Sequence, residues 1–116
     1  MNRYSLITLA MLAGCAIEPA DVQREGVRSE HELKHPHAAA AACLARNIAT
    51  EGGLLAPTLR AVDADTTEIS ARVGVDHAPV YVQVTPNGGT SRATIWTPTR
   101  MLQHREGFAA AVTKGC

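Results

Sequence analysis

The sequence predicts an α+β fold in the order α-β-β-β-β-α, with a four-stranded antiparallel sheet and two helices packed on one face. Three observations lead to this fold class. Residues 37–50 repeat apolar side chains at three- and four-residue spacing, and residues 58–97 alternate with period two in four segments. In addition, Cys43 and Cys116 fall on the inward sides of the two predicted helices, where they could join them. Helices on one face of an antiparallel sheet satisfy all three observations.

The first predicted helix runs from His37 to Thr50. Pro36 suits the start of a helix because its missing N–H has no acceptor in the first turn. The run is rich in alanine, the residue with the best helix propensity. One stripe of the helix is expected to face inward: Ala40, Cys43, Leu44, Asn47 and Ile48.

Four strands are predicted at residues 58–62, 67–73, 80–85 and 91–97. The turn Asn87-Gly88-Gly89 is a strong hairpin signal between the last two strands. Both plausible registers of that turn place Val82 and Ile95 on one face of the sheet. The same registers place Tyr81 and Trp96 on the other face, so one face is apolar and the other is mixed.

The last helix is predicted to follow the fourth strand directly. Thr97 is a good N-cap residue, and Pro98 is a good residue for the first turn. An apolar stripe continues along this helix and consists of Met101, Phe108 and Val112. Cys116 follows on the same side of the helix as Val112.

The N-terminal residues have the pattern of a secretory signal. Residues 1–5 carry one cation, residues 6–11 are apolar, and Leu12-Ala13-Gly14-Cys15 follows. A transmembrane helix is the first alternative, but the apolar run is well short of the roughly 20 residues that a bilayer requires. An ordinary cleaved signal is the second, and it would leave Cys15 as a free thiol in an oxidising compartment.

Leu12-Ala13-Gly14-Cys15 resembles the lipobox of bacterial lipoproteins. The resemblance implies that residues 1–14 are a signal peptide and that Cys15 receives a diacylglycerol and a further acyl chain such as palmitate. It implies a lipid-anchored protein of the cell envelope. In enterobacterial members of this family, Asp after the cysteine often retains the protein in the inner membrane. Ala16 stands there, so the resemblance favours the outer membrane, facing the periplasm.

Residues 15–36 are expected to form the lipidated anchor and a flexible tether, and residues 37–116 the folded domain. The segment is charged, is broken by Pro19 and Gly26, and has few apolar residues. Such a composition buries too little surface to order a chain.

Two cysteines remain once Cys15 is lipidated. An even pair in an exported chain predicts a Cys43–Cys116 disulfide, and two separate thiols are the alternative. The mature part also resembles small uncharacterised proteobacterial lipoproteins that have a cysteine in a first helix and another at the C-terminus.

Composition and motifs restrict the classes of function. The formal net charge is zero, so there is no basic excess to bind nucleic acid. The sequence contains no nucleophile elbow, zinc-protease, Cys-x-x-Cys or phosphate-loop motif, and we expect neither an enzyme nor a cofactor. A small hydrolase is the weakest alternative: Asp63 and Asp65 could pair as acid and base, although a turn explains them more simply.

We therefore expect a non-enzymatic interaction or structural module that binds the membrane through its anchor and an envelope protein through its surface. The candidate contact surface is Tyr81, Arg92 and Trp96, because Tyr, Arg and Trp dominate interface hot spots. A Trp96 packed under a loop is the competing interpretation.

The alternative function is periplasmic metal binding through His31, His35 and His37. His31 and His35 are four residues apart and would share a helical face, where they could bind Zn²⁺ or Cu²⁺. A solvated linker in which Pro36 breaks that geometry is the simpler interpretation, since ligands need supporting contacts.

Overall fold

The structure, a computed structural model, describes residues 19–51, 56–74, 77–98 and 105–116. Eight elements occur in chain order within these ranges, and they are α1 (Pro19–Glu25), β1 (Gly26–Leu33), α2 (His37–Thr50), β2 (Thr58–Asp63), β3 (Thr66–Val73), β4 (Ala78–Asn87), β5 (Thr90–Pro98) and α3 (Arg105–Thr113). None of the described helices is long and apolar enough to cross a membrane.

The strands form one antiparallel sheet in the order β1-β5-β4-β3-β2. The hairpin at Asn87 to Thr90 sets the register, so that Val82 faces Ile95 and Tyr81 faces Trp96 as predicted. We call the side that carries Val82 and Ile95 the core face, and the side that carries Tyr81 and Trp96 the polar face.

Helices α2 and α3 pack against each other, and α2 lies on the core face over β3, β4 and β5. Pro36 is the N-cap of α2, as the sequence indicates. The largest fully buried side chains of this core are aliphatic: Leu44, Ile48, Ile69, Val80, Val82, Val84, Ile95 and Val112. The core thus depends on branched side chains, with Phe108 as its one buried ring among the described residues.

The predicted disulfide is confirmed. Cys43 in α2 and Cys116 beyond α3 are bonded, with their Cα atoms 5.7 Å apart. The carbonyl oxygen of Cys116 also accepts hydrogen bonds from the backbone N–H groups of Lys34 and His35, at 2.9 and 3.1 Å. The residues that connect β1 to α2 are therefore fixed to the same point as the disulfide.

The predicted fold class, a four-stranded sheet with two helices, is wrong. The described residues contain five strands and three helices. The additional elements lie in the segment 15–36 that was expected to be a tether, where α1 and β1 occupy residues 19–33. Strand β1 pairs with β5 along its whole length, from Gly26 opposite Pro98 to Leu33 opposite Ser91. Pairing with a distant strand supplies the order that the local composition does not.

The predicted start of the last helix at Thr97 and Pro98 is also wrong, because both residues belong to β5. Thr97 pairs with Val27, and its hydroxyl is buried without a hydrogen-bond partner among the described residues. The predicted signal peptide 1–14, the predicted lipidation site Cys15 and the predicted stripe residue Met101 lie outside the described residues.

Candidate functional site: the polar face of the sheet

Tyr81 and Trp96 form an aromatic pair at the centre of the polar face. They are opposite each other on β4 and β5, and their ring centroids are 5.4 Å apart with an interplanar angle of 39°. Arg28 of β1 lies opposite Trp96 on its other side. The pair therefore lies in a row of side chains that crosses the sheet from β1 to β4.

Tyr81 is the buried member of the pair, with only 1% of its surface exposed. Its hydroxyl donates a hydrogen bond to Glu68 of β3, which is also buried. Arg60 of β2 binds the other carboxylate oxygen of Glu68 at 2.8 Å, and the Gln83 amide donates to the Tyr81 hydroxyl at 3.2 Å. Burial, followed by the hydrogen bond to Glu68, raises the pKa of Tyr81 to about 12. The hydroxyl thus remains a hydrogen-bond donor through the physiological range.

Helix α1 explains why a residue on this face can be buried. It contacts β1, β4 and β5, and its Val22 is buried although it does not belong to the main core. Gly26 allows the close approach: a Cβ there would clash with the carbonyl oxygen of Val22 and lie 2.9 Å from that of Thr97. The polar face is therefore partly covered by a helix that the sequence analysis did not predict.

Arg92 is exposed and belongs to an ion pair. Its guanidinium binds Glu32 of β1 at 2.7 Å, and the Asn87 amide donates to the other oxygen of Glu32 at 2.6 Å. Arg92 and then Asn87 lower the pKa of Glu32 by hydrogen bonding, and Glu32 in turn raises the pKa of Arg92. The pair is open to solvent, which screens it.

The three predicted contact residues therefore share a face, but they are not equally accessible. Tyr81 is buried, Trp96 is half-buried and Arg92 is exposed. Sequence reasoning missed Glu68 and Val22. The period-two alternation of residues 67–73 separates Glu68 from the apolar side of its strand, but only pairing with β4 and β2 brings it to Tyr81 and Arg60.

The three candidate metal ligands bind three different partners. His31 contacts the Ser29 hydroxyl at 2.9 Å, His35 the Gly115 carbonyl oxygen at 3.1 Å, and His37 the Thr67 hydroxyl at 2.9 Å. The four-residue spacing does not place His31 and His35 on one helical face, because His31 is in β1 and His35 precedes α2. No group of three or more His, Cys, Asp or Glu residues among the described residues is placed to bind a metal ion.

Asp63 and Asp65, the candidate acid–base pair, form a turn between β2 and β3. The Asp63 carboxylate accepts a hydrogen bond from the backbone N–H of Asp65 at 2.8 Å. Both residues are exposed. This is the turn geometry expected of Asp, so the arrangement is explained by local backbone structure.

Comparisons with protein-family models, with curated proteins and with solved structures find no match for this chain.

Proposed function

We propose that the protein is an envelope lipoprotein, anchored through Cys15 in the outer membrane and facing the periplasm, where it acts as a non-enzymatic interaction or structural module. The observation that carries the proposal is the sequence Leu12-Ala13-Gly14-Cys15 after a short apolar run. The resemblance of that stretch to a lipobox is the basis for the proposed anchor, cleavage site and compartment.

The Cys43–Cys116 bond supports the proposed compartment. Disulfides persist in oxidising compartments such as the periplasm and are rare in the bacterial cytosol. Small domains are marginally stable, so a covalent constraint is of most use to a chain of this size. We propose that the partner is another protein of the envelope.

The charged groups on the polar face support a non-enzymatic role. Arg92 is paired with Glu32, Arg28 with Glu30, and Arg60 with Glu68, which also accepts from Tyr81. Carboxylates held in this way stabilise the sheet. They are poorly suited to act as general bases, because a base must be free to accept a proton from a substrate.

Metabolic labelling with palmitate tests the anchor. The native chain is expected to incorporate label and to fractionate with the outer membrane, whereas Cys15→Ala is expected to remain an unlabelled, uncleaved precursor. Ala16→Ser is the matched control and should still be labelled. Label in the Cys15→Ala protein would contradict the assignment of Cys15.

Crosslinking in intact envelopes, followed by purification, tests the interaction role. A specific envelope protein should be recovered with the native chain. It should not be recovered with Cys15→Ala, because that form is not anchored in the membrane beside the partner. Recovery of the same proteins with both forms would argue against an anchored module.

A further inference from the structure

We infer that the occupant of the polar face is the lipid surface itself: α1 and the edge of Trp96 lie at the level of the lipid headgroups. This inference rests on the lipid anchor proposed above and adds an orientation to it. It assigns the exposed part of the predicted contact surface, Trp96 and Arg92, to the membrane and leaves the helical side of the domain for protein contacts.

The first argument is the length of chain between the anchor and the folded body. Three residues separate Cys15 from Pro19, where α1 begins. Even fully extended, the four steps from Cys15 to Pro19 span at most about 14 Å. A tether extending to residue 36 would allow the domain to turn any side toward the bilayer. A connection of three residues holds the side that carries α1 close to the bilayer.

The second argument is the position of α1. A Cβ at Gly26 would point to the same side of β1 as Arg28 and would meet the Val22 carbonyl oxygen of α1. Helix α1 therefore lies on the polar face, and the anchored end of the folded body belongs to that side of the sheet. Helix α2 covers the opposite side, and its exposed residues include Ala42, Arg46 and Ala49. A helix is about 10–12 Å in diameter, so those residues lie more than a helix diameter farther from the anchored face.

The third argument is the chemistry of the surface that would meet the headgroups. Three arginines of this surface are paired within the protein, Arg24 with Asp21, Arg28 with Glu30, and Arg92 with Glu32. Paired charges give anionic lipids little net charge to attract or repel. Trp96 is half-buried, and the amphipathic indole ring is favoured at the interface between lipid and water. Contact is therefore imposed by the short connection, and it should be insensitive to salt.

Trp96 is the only tryptophan in the chain and serves as an intrinsic probe. The lipidated protein is reconstituted in phosphatidylcholine–phosphatidylglycerol vesicles, in which a fraction of the lipid carries a nitroxide on its headgroup. We expect loss of most of the Trp96 emission relative to nitroxide-free vesicles. We also expect no recovery at about 1 M salt, where the Debye length is about 3 Å. Unquenched emission from bound protein, or recovery in salt, would overturn the inference.

A matched variant moves the probe to the other side. The double substitution Trp96→Phe, Arg46→Trp places the only tryptophan on the exposed side of α2. Its emission should be nearly unaffected by the nitroxide lipid. Equal quenching at both positions would mean that the domain has no preferred orientation.

Two further variants test whether the connection imposes the orientation. A Gly/Ser insertion of about twelve residues between Ala16 and Ile17 adds about 20 Å of reach and should restore most of the emission. Gly26→Ala should restore part of the Trp96 emission, because the added Cβ displaces α1. Gly89→Ala is the control, because a Cβ at Gly89 meets nothing within 4 Å. Quenching that survives the insertion would overturn the inference.

The mass of the N-terminal peptide is measured on the same samples. If that peptide carries no lipid, the proposed anchor fails. If it carries lipid and Trp96 remains unquenched, the anchor stands and only the orientation fails.

Discussion

The Asn47 side chain donates a hydrogen bond to the carbonyl oxygen of Val112 at 2.8 Å, joining the second half of α2 to the last turn of α3. The same amide group donates to the carbonyl oxygen of Lys114 at 3.0 Å. Carbonyl groups at the end of a helix have no intrahelical partner, so Asn47 caps α3 from a neighbouring helix. It does so four residues after Cys43, beside the disulfide.

Replacement of Asn47 by Ala should lower the free energy of unfolding by about 1–3 kcal/mol, because it leaves the Val112 and Lys114 carbonyl groups without their donor. Urea unfolding followed by circular dichroism measures this change. Arg46→Ala is the control: Arg46 is the exposed neighbour, and its replacement should change stability by less than about 0.5 kcal/mol. Equal effects of the two substitutions would contradict the capping role.

Removal of the disulfide by Cys43→Ser with Cys116→Ser should cost about 4 kcal/mol in the chain-entropy model, since the bond joins residues 73 apart. That loss is a large part of the total stability of about 5–15 kcal/mol expected of a small domain. The thermal midpoint and the urea midpoint should both fall. Reductant should destabilise the native protein similarly and leave the double variant unchanged. Recovery of both thiols free from the native protein would refute the pairing.

The raised pKa of Tyr81 predicts a loss of folding stability at high pH. Its folded pKa of about 12 is above the ordinary value of 10, so the fold favours the neutral hydroxyl. The resulting stabilisation is fully present below pH of about 10 and is lost as pH rises toward about 12. Urea unfolding across this window should show the native protein losing stability relative to Tyr81→Phe. A constant difference between the two proteins would show that the hydroxyl does not titrate in this way.

The histidines predict weak metal binding. Because His31, His35 and His37 bind three different partners, we expect Zn²⁺ to bind the full chain no more tightly than several tens of micromolar, which is weaker by about 4–10 kcal/mol than structural zinc sites. Isothermal titration of the native protein and of His35→Ala should give the same weak binding. A submicromolar site that disappears in His35→Ala would favour the metal-binding function.

The elements that sequence predicted well have local signals. The hairpin between β4 and β5 follows from Asn87-Gly88-Gly89 and clean alternation, and that register also fixed the faces of Tyr81 and Trp96. Helix α2 follows from its alanine content and the apolar stripe, with bounds at His37 and Thr50 as predicted. In each case the residues that define the element are neighbours in the sequence.

The elements that sequence missed depend on distant partners. Strand β1 carries polar side chains on both faces, with Ser29 and His31 on the core face beside Leu33, so its apolar alternation is weak. Glu32 finds a charged partner only when β1 lies beside β5, in the Glu32–Arg92 pair. Helix α1 has seven residues, and Val22 is the one buried apolar side chain among those that the structure describes there, which gives almost no periodic signal. Thr97 and Pro98 satisfy the rules for a helix start, yet the same residues extend β5 because β1 offers them a partner.

The strand order β1-β5-β4-β3-β2 has a consequence for a chain that is synthesised from its N-terminus. Strands β2, β3 and β4 each pair with the next strand along the chain, so these pairs can form as the strands emerge. Strand β1 emerges first, but its partner β5 is more than fifty residues away, and closing that loop costs entropy before any contact repays it. Until β1 docks, β5 is an unpaired edge strand, whose free N–H and C=O groups can pair with a strand of another chain. The interval between the emergence of β5 and the docking of β1 is thus the window in which this protein is most exposed to misassembly.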